Sequence, residues 1–435
     1  MRRVLLSIAL LAILPSMLLA EGARVEPPEF ESDYSMPLHT NPAPKADWWH
    51  WADVGILAGA ILLASYLLLK KRTRVGVLLV TVGALVYFGF VRKGCICPIG
   101  AVQNVTQGIF DPAFIVGAIV LAFFTIPLVL TLLFGRTFCG AICPLGAIQE
   151  VIILKPVKIP MWLEHSLGML PWVYLSIAGL LAATGSIYLI CQFDPFVGFF
   201  RFSAPWAMLV IGGGFLLLGT FIARPYCRFL CPYGAILRVC GRLSWKRVTI
   251  TPNECVNCRL CEDACPFNAI HPPNAEEKRP KRTEGKGRFI GMIVATPLLI
   301  AAIGWGVASL RGPLSALHPR VRLANMIYQE EQAGVSGALD ATRDFREGKT
   351  EIPTLYKQAA EVRDWFYWGG WIAGGFLGLV IGLKLIELSV HRTRTEYEAD
   401  RAKCLACGRC YRYCPIGHRE KRKQKQKEKP APASL

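Results

Sequence analysis

The chain predicts an α-helical polytopic membrane protein of about seven transmembrane helices, with two parallel internal repeats and a cysteine-rich module split in two on the cytoplasmic face. Three observations predict it. Of 435 residues, 53% are hydrophobic and only 18% charged, with a mean hydropathy of +0.37; a soluble domain carries about 25% charged residues. Seven apolar stretches approach or reach the ~20 residues a spanning helix needs. Cys255-x-x-Cys258-x-x-Cys261-x-x-x-Cys265-Pro266 recurs as Cys404-x-x-Cys407-x-x-Cys410-x-x-x-Cys414-Pro415, with two of the apolar stretches between them.

Taken in order, Arg2-Arg3, the apolar run Val4 to Leu14 and Ala20 make residues 1–20 a signal sequence or anchor. Either reading exports residues 21–47, which are acidic, proline-rich and expected to be flexible. A membrane domain over 48–240 follows. The spans are expected near Trp51–Leu69, Val75–Val91, Ala113–Phe134, Leu167–Ile190, Trp206–Ala223, Phe289–Leu310 and Trp365–Leu388. Trp48, Trp49 and Trp51 open the first, and Trp365, Tyr367, Trp368 and Trp371 open the last, where interfacial belts belong.

Seven crossings that start outside leave the C-terminus inside. The basic segments Lys70–Arg74, Lys155–Lys158, Arg238–Arg288 and Arg392–Lys429 then all fall on the inner face, as positive loops should. One half of the cysteine module occupies 241–288 and the other, with a basic tail, 391–435. Between them lie a helix over 289–310, a periplasmic loop over 311–364 and a helix over 365–390. Short helices are expected in that loop around Leu317–Glu331, Ala338–Arg346 and Pro353–Asp364. The net charge of +18 sits beside apolar spans, which points to membrane lipid headgroups and away from nucleic acid.

The cysteine run is the bacterial ferredoxin signature, in which three thiolates hold one [4Fe–4S] cube and the fourth reaches the other. Zinc needs two separated C-x-x-C pairs, so zinc does not explain it. By analogy with two-cluster ferredoxins, Cys255, Cys258, Cys261 and Cys414 hold one cube, and Cys404, Cys407, Cys410 and Cys265 the other.

A repeat runs through the membrane domain. Arg136-Thr-Phe-Cys139-Gly-Ala-Ile-Cys143-Pro144-Leu-Gly146-Ala147-Ile148 aligns with Arg224-Pro-Tyr-Cys227-Arg-Phe-Leu-Cys231-Pro232-Tyr-Gly234-Ala235-Ile236, and Phe110-Asp111-Pro112 with Phe193-Asp194-Pro195. The same orientation implies parallel repeats. Cysteines at i and i+4 share one helical face, so Cys139, Cys143, Cys227 and Cys231 could supply a third cube or act as small buried hydrophobes. Cys95, Cys97 and Cys191 form an outer trio with metal ligation, a disulfide or packing as readings. Cys240 reads as core. Arg136 and Arg224 read as positive-inside anchors or as partners of cluster charge. Asp111 and Asp194 read as turn formers or proton carriers at a quinol site.

The two C-x-x-x-C-P turns at Cys139/Cys143 and Cys227/Cys231, with both ferredoxin runs, resemble the NosR/NapH family of membrane polyferredoxins over roughly Val75 to Gly417. The resemblance implies electron transfer between the quinone pool or a cytoplasmic donor and a periplasmic redox enzyme or partner. It further implies a multi-pass protein of the bacterial inner membrane working within a complex. Some members carry a covalent flavin on a threonine in D-x-x-[S/T]-G-A-T. Here the outer loop reads Ser336-Gly337-Ala338-Leu339, so covalent FMN is not expected. None of the seven histidines lies mid-span, so no haem is expected. A second class is a copper-centre assembly or reduction factor, since exported Cys95-x-Cys97 suits a soft ion.

Overall fold

The computed structural model describes residues 46–94, 98–154, 156–246, 248–250, 255–274, 282–348, 351–390, 394 and 396–416. The expected leader, the exported segment, Cys95, Cys97 and the basic tail lie outside the described residues.

The membrane part is helical. α1 (Asp47–Leu69) leads into α2 (Arg74–Ala84), which Thr73 caps through its hydroxyl and which continues as a π-helical stretch, Leu85–Val91. α3 (Pro98–Phe110), α4 (Ala118–Phe134) and α5 (Pro144–Ile152) follow. Next come α6 (Met161–Leu167), α7 (Leu170–Ala183), α8 (Trp206–Phe221) and α9 (Pro232–Arg242). Long α10 (Arg282–Ser309) and α13 (Ile352–Ser389) flank α11 (Pro319–Gln332) and α12 (Asp340–Glu347).

Among the described residues five segments are long and apolar enough to cross a bilayer: Trp48–Leu69, Arg74–Val91, Met161–Ala183, Lys286–Ser309 and Ile352–Ser389. α4 and α8 are apolar but have 17 and 16 residues, roughly 25 Å each at 1.5 Å per residue. Leu62, Leu79, Val129, Leu217, Val294 and Leu383 remain exposed on these helices, a surface that suits hydrocarbon and not water.

Two expected boundaries move. The fourth apolar stretch starts at Met161 and its helix ends at Ala183, not Ile190, because Gly185 takes a left-handed φ of +65° and closes it. The third begins at Ala118, because Asp111 Oδ1 accepts the Ala113 N–H and turns the chain first.

The segment Leu189–Arg201 packs back into the helix bundle. The Pro195 carbonyl rests on the backbone of Gly212 in the middle of α8, where a Cβ has no room. Phe200 rests on Gly89 of the π-helical stretch, and Phe196 and Phe200 are fully buried.

α10 and α13 pair along a glycine ladder. Gly370, Gly374, Gly378 and Gly382 recur every fourth residue, and a Cβ at Gly378 would stand 2.6 Å from Ile300 Cα. Small residues at this spacing let two membrane helices approach to backbone contact. This hairpin carries the ferredoxin halves to one place, where β1 (Ile270–His271) pairs antiparallel with β2 (Glu398–Ala399). At the far end, the helix expected around Pro353–Asp364 runs unbroken into α13. There Glu330 accepts from the Gly337 and Leu339 N–H groups and the Thr342 hydroxyl, so the Ser336–Leu339 stretch is a helix-joining turn.

Candidate metal centre

The two ferredoxin loops share a backbone path. Asn257 and Arg259 in the first, and Ala406 and Gly408 at the equivalent places in the second, all have positive φ. Left-handed residues in such a loop turn successive N–H groups toward one centre, an anion-binding shape. Cys255, Cys258, Cys261 and Cys414 line one small cavity of about 30 Å³, so the last cysteine of the second half reaches the first half's loop. Cys265, Cys404, Cys407 and Cys410 form the second group, each acting electrostatically on others of the set. Burial pushes the Cys404 thiol up to about 12, that of Cys261 up to about 11 and that of Cys410 well above the ordinary range. Thiols held so are protonated at neutral pH unless a metal replaces the proton. No trio of Cys, His, Asp or Glu among the described residues converges as on one small ion; a cube needs its four thiolates spaced around a larger body.

The two C-x-x-x-C-P turns face the second group. Cys139 lies on a π-helical turn, Phe138–Ile142, and Cys227 on a short helical turn, Pro225–Phe229. Cys143 (φ −59°, ψ 119°) and Cys231 (φ −59°, ψ 114°) are the N-caps of α5 and α9, each with proline at the first helical position. Gly234 N–H donates to Cys231 Sγ at 3.3 Å, and Gln149 Nε2 to Cys227 Sγ at 3.5 Å. Tyr233 lies within electrostatic reach of Cys139, Cys240, Cys231 and Cys143, and Cys227 of Cys139. Burial raises Cys227 to about 12 against the opposing pull of Arg224.

Both turns grip the ferredoxin. Gly140 sits so close to the Leu405 and Ala406 carbonyls that a side chain there would collide with backbone. Arg136 Nη1 donates to Ala402 O at 2.8 Å, and Arg228 donates to the Pro266 and Phe267 carbonyls at 3.2 and 3.3 Å. Two buried carboxylates lock the join. Glu164 meets Arg228 (3.0 Å), Lys403 (3.1 Å) and Asn268 (2.9 Å). Glu150 meets Arg224 (2.9 Å), Arg409 (2.7 Å) and Arg74.

Arg136 and Arg224 are 3% and 0% exposed. Headgroup anchoring is therefore wrong for both, and they face the thiols. Arg136 Nε is buried without a hydrogen-bond partner, an orphan that suits an anionic group beside it. A thiolate-held cube is such a group, so the donor set and its surroundings fit iron–sulfur clusters.

Cys191 is exposed as a free thiol, with its Sγ 3.0 Å from the Cβ position of Gly100 in the first turn of α3. Its expected companions Cys95 and Cys97 lie outside the described residues. Cys240 stands alone on α9, half-buried. Asp194 is buried and accepts from the Phe196 and Val197 N–H groups, which makes it a turn former; burial raises its carboxyl to about 6. Below the turns, a cavity of about 370 Å³ reaches from Cys227 past Trp172, Phe376 and Leu379 to His165 and Glu387.

Sequence reasoning did not pick out Gly140, Glu150 or Glu164. Glu150 had a signal: it is the only acidic residue from Pro112 to Leu163.

A 4Fe-4S binding domain family matches residues 116–161 and 204–250, which take in both C-x-x-x-C-P turns, and a second 4Fe-4S binding domain family matches residues 248–271, around the first quartet. An uncharacterized protein of Methanocaldococcus jannaschii is 31% identical over 193 residues, covering 42% of this chain and 77% of that protein. The regulatory protein NosR of Stutzerimonas stutzeri is 25% identical over 219 residues, 46% of this chain and 30% of NosR. The chain belongs to the NosR/NapH-type polyferredoxins. Another relative of this polyferredoxin is YccM of Escherichia coli, named as a candidate electron transport protein, 29% identical over 32% of this chain and 43% of YccM. The chain thus spans less than half of YccM and under a third of NosR. No solved structure matches the polyferredoxin.

Proposed function

We propose that this polyferredoxin is a membrane electron conduit of the bacterial inner membrane. Two [4Fe–4S] clusters on the cytoplasmic face, at Cys255/Cys258/Cys261/Cys414 and Cys265/Cys404/Cys407/Cys410, exchange electrons with a third at Cys139, Cys143, Cys227 and Cys231. From there electrons pass between the quinone pool or a cytoplasmic donor and a redox partner outside. Seven apolar helices, two of them short, form two parallel repeats that hold the turns above the ferredoxin.

The hydrocarbon core is about 30 Å thick, and clusters on one face cannot serve the other unless that layer is bridged. The inward-folded segment supplies the bridge and carries the reading. Phe196, the residue after the Asp194-Pro195 turn, packs edge-on against Tyr226 with ring centroids 5.4 Å apart. Tyr226 is the neighbour of Cys227. Tyr174 on α7 lies within electrostatic reach of Cys231 on one side and of Cys191 and Asp194 on the other. The inner cavity suits a quinone head group: aromatic and aliphatic walls, a thiol at one end, and His165 and Glu387 to take protons at the other.

The test is electron transfer in proteoliposomes, with clusters reduced from the ferredoxin side and an impermeant oxidant on the other. Phe196→Leu and Tyr226→Leu should slow re-oxidation several-fold with cluster EPR signals intact. Unchanged rates remove the route. Iron analysis gives about twelve atoms per chain for three clusters and about eight for two.

A further inference from the structure

Buried charge around the turns does not balance. Glu150 is 3% exposed, and it gathers Arg224 through Nε at 2.9 Å, Arg409 at 2.7 Å and Arg74. Three guanidiniums against one carboxylate leave two positive charges uncompensated in a site where Arg224 is fully, and Arg74 and Arg409 are largely, withdrawn from water. Removing unbalanced charge from water costs several kcal/mol per ion unless an opposite charge sits close by.

Each of the three arginines touches a cysteine segment. Arg224 donates to the carbonyls of Cys139 and, at 2.8 Å, of Gly140, and it lies within electrostatic reach of Cys227 and Cys407. Arg74 donates to the Cys407 carbonyl at 2.6 Å. Arg409 stands in the sequence between Cys407 and Cys410. One carboxylate therefore orients three cations that divide between two thiol groups, the C-x-x-x-C-P set and the inner ferredoxin set. The Cys255/Cys258/Cys261/Cys414 set has no member of this cage in its lining.

We propose that Glu150, with Arg224, Arg409 and Arg74, is a shared charge-compensating hub that sets the reduction potentials of the two neighbouring clusters together. The proposal rests on the cluster reading above and adds positioning residues to it. A thiolate-held cube is anionic and gains one negative charge on reduction, and net charge and hydrogen bonds nearby are among the levers that set its potential. Excess guanidinium charge favours the reduced form, and Glu150 restrains that effect. Because Arg224 spans both groups, a change in the hub moves both potentials in one direction.

EPR-monitored redox titration of the full-length protein tests this, with the distal cluster as internal reference. Glu150→Gln should raise both near potentials, shifting each reduction equilibrium about tenfold, ~59 mV for one electron. Arg409→Gln, the substitution of the most exposed of the three arginines after which the cage loses a positive charge, should lower both. The Glu150→Gln/Arg409→Gln double variant restores the net charge and should return both toward the parent values, which structural damage would not do. Near potentials that stay put in iron-replete variants overturn the hub, as does a distal potential that moves equally. Loss of iron from Arg409→Gln also overturns it, since the cage would then be only a clamp. A parent protein with about eight irons removes the third cluster and overturns the shared hub with it. A parent without cluster signals sinks the underlying reading instead.

Discussion

The two C-x-x-x-C-P turns have nearly the same sequence and nearly the same backbone at their second cysteine, yet they face different neighbours. In the first, Gly140 lets the Leu405 and Ala406 carbonyls come to backbone distance, and the turn is closed over by the second ferredoxin half. In the second, the equivalent position is Arg228, which reaches across to Pro266, Phe267 and Glu164 of the first half's surroundings and leaves Cys227 on the wall of the inner cavity. One turn is closed by a backbone-to-backbone contact, and the other, itself buried, by an arginine that reaches across beside the cavity. Both converge on the Cys265/Cys404/Cys407/Cys410 group, which leaves the Cys255/Cys258/Cys261/Cys414 group outermost. Repetition supplied two like thiol pairs, and the residue after each first cysteine decides what each pair meets.

Exchanging those residues should break the comparison most severely. A side chain at Gly140 has no space before the Leu405 carbonyl, and backbone does not yield as a flexible side chain does. Gly140→Val should cost roughly 3 kcal/mol or more and detach the second ferredoxin half, read as lowered iron content and thermal stability. Arg228→Gly removes two hydrogen bonds and one ion pair but leaves Glu164 with Lys403 and Asn268, so about 2 kcal/mol is expected. An equal loss in both would show that the two turns are interchangeable.

The carboxylates sharpen the contrast by pH. Burial alone would raise the Glu150 carboxyl, but Arg224, Arg409 and Arg74 hold it down to about 2 from an ordinary 4.5. The folded value lies below the unfolded one, so the stabilisation is fully present above about pH 4.5 and is lost as pH falls toward 2. At 1.36 kcal/mol per pKa unit it amounts to about 3 kcal/mol. Asp194, on the opposite side of the turns, behaves in the reverse sense: its folded value of about 6 exceeds the ordinary 3.8, so its stabilisation is present below 3.8 and fades as pH rises through 6. Acid titration of thermal stability should flatten near pH 3 in Glu150→Gln and near pH 5 in Asp194→Asn. Unchanged profiles would mean that neither carboxyl titrates with folding.

Much of this was legible in the residues, because cysteine spacing and apolar length are local properties. The quartets, the turns and the seven apolar stretches can be read without a fold. The glycine ladder at 370, 374, 378 and 382 was equally open to reading, since a period of four on a span marks a helix contact. What could not be read depends on distance in sequence. Gly140 owes its identity to a carbonyl 265 residues later, and Glu150 to arginines 76 residues before and 74 and 259 after it. The inward fold of Leu189–Arg201 was hidden because its Asp-Pro turn is locally indistinguishable from a surface loop; only Gly212 and Gly89, small residues on two other helices, make room for it.

The smallest effect separates the two arginines that precede the turns. Arg224 satisfies its guanidinium on Glu150 and two carbonyls, so Arg224→Met should destabilise the protein with or without iron. Arg136 meets no carboxylate among the described residues, and its Nε has no partner. In iron-depleted protein that guanidinium is a buried charge with nothing to balance it, so Arg136→Met should be neutral or stabilising by about 1 kcal/mol. With clusters bound it becomes a counter-charge beside Cys139 and Cys227, and the same substitution should cost about 1 kcal/mol. Thermal unfolding of the two forms reads the change of sign. A loss of equal size in both forms would mean that Arg136 holds the Ala402 carbonyl and has no electrostatic part, and the two turns would then differ only in shape.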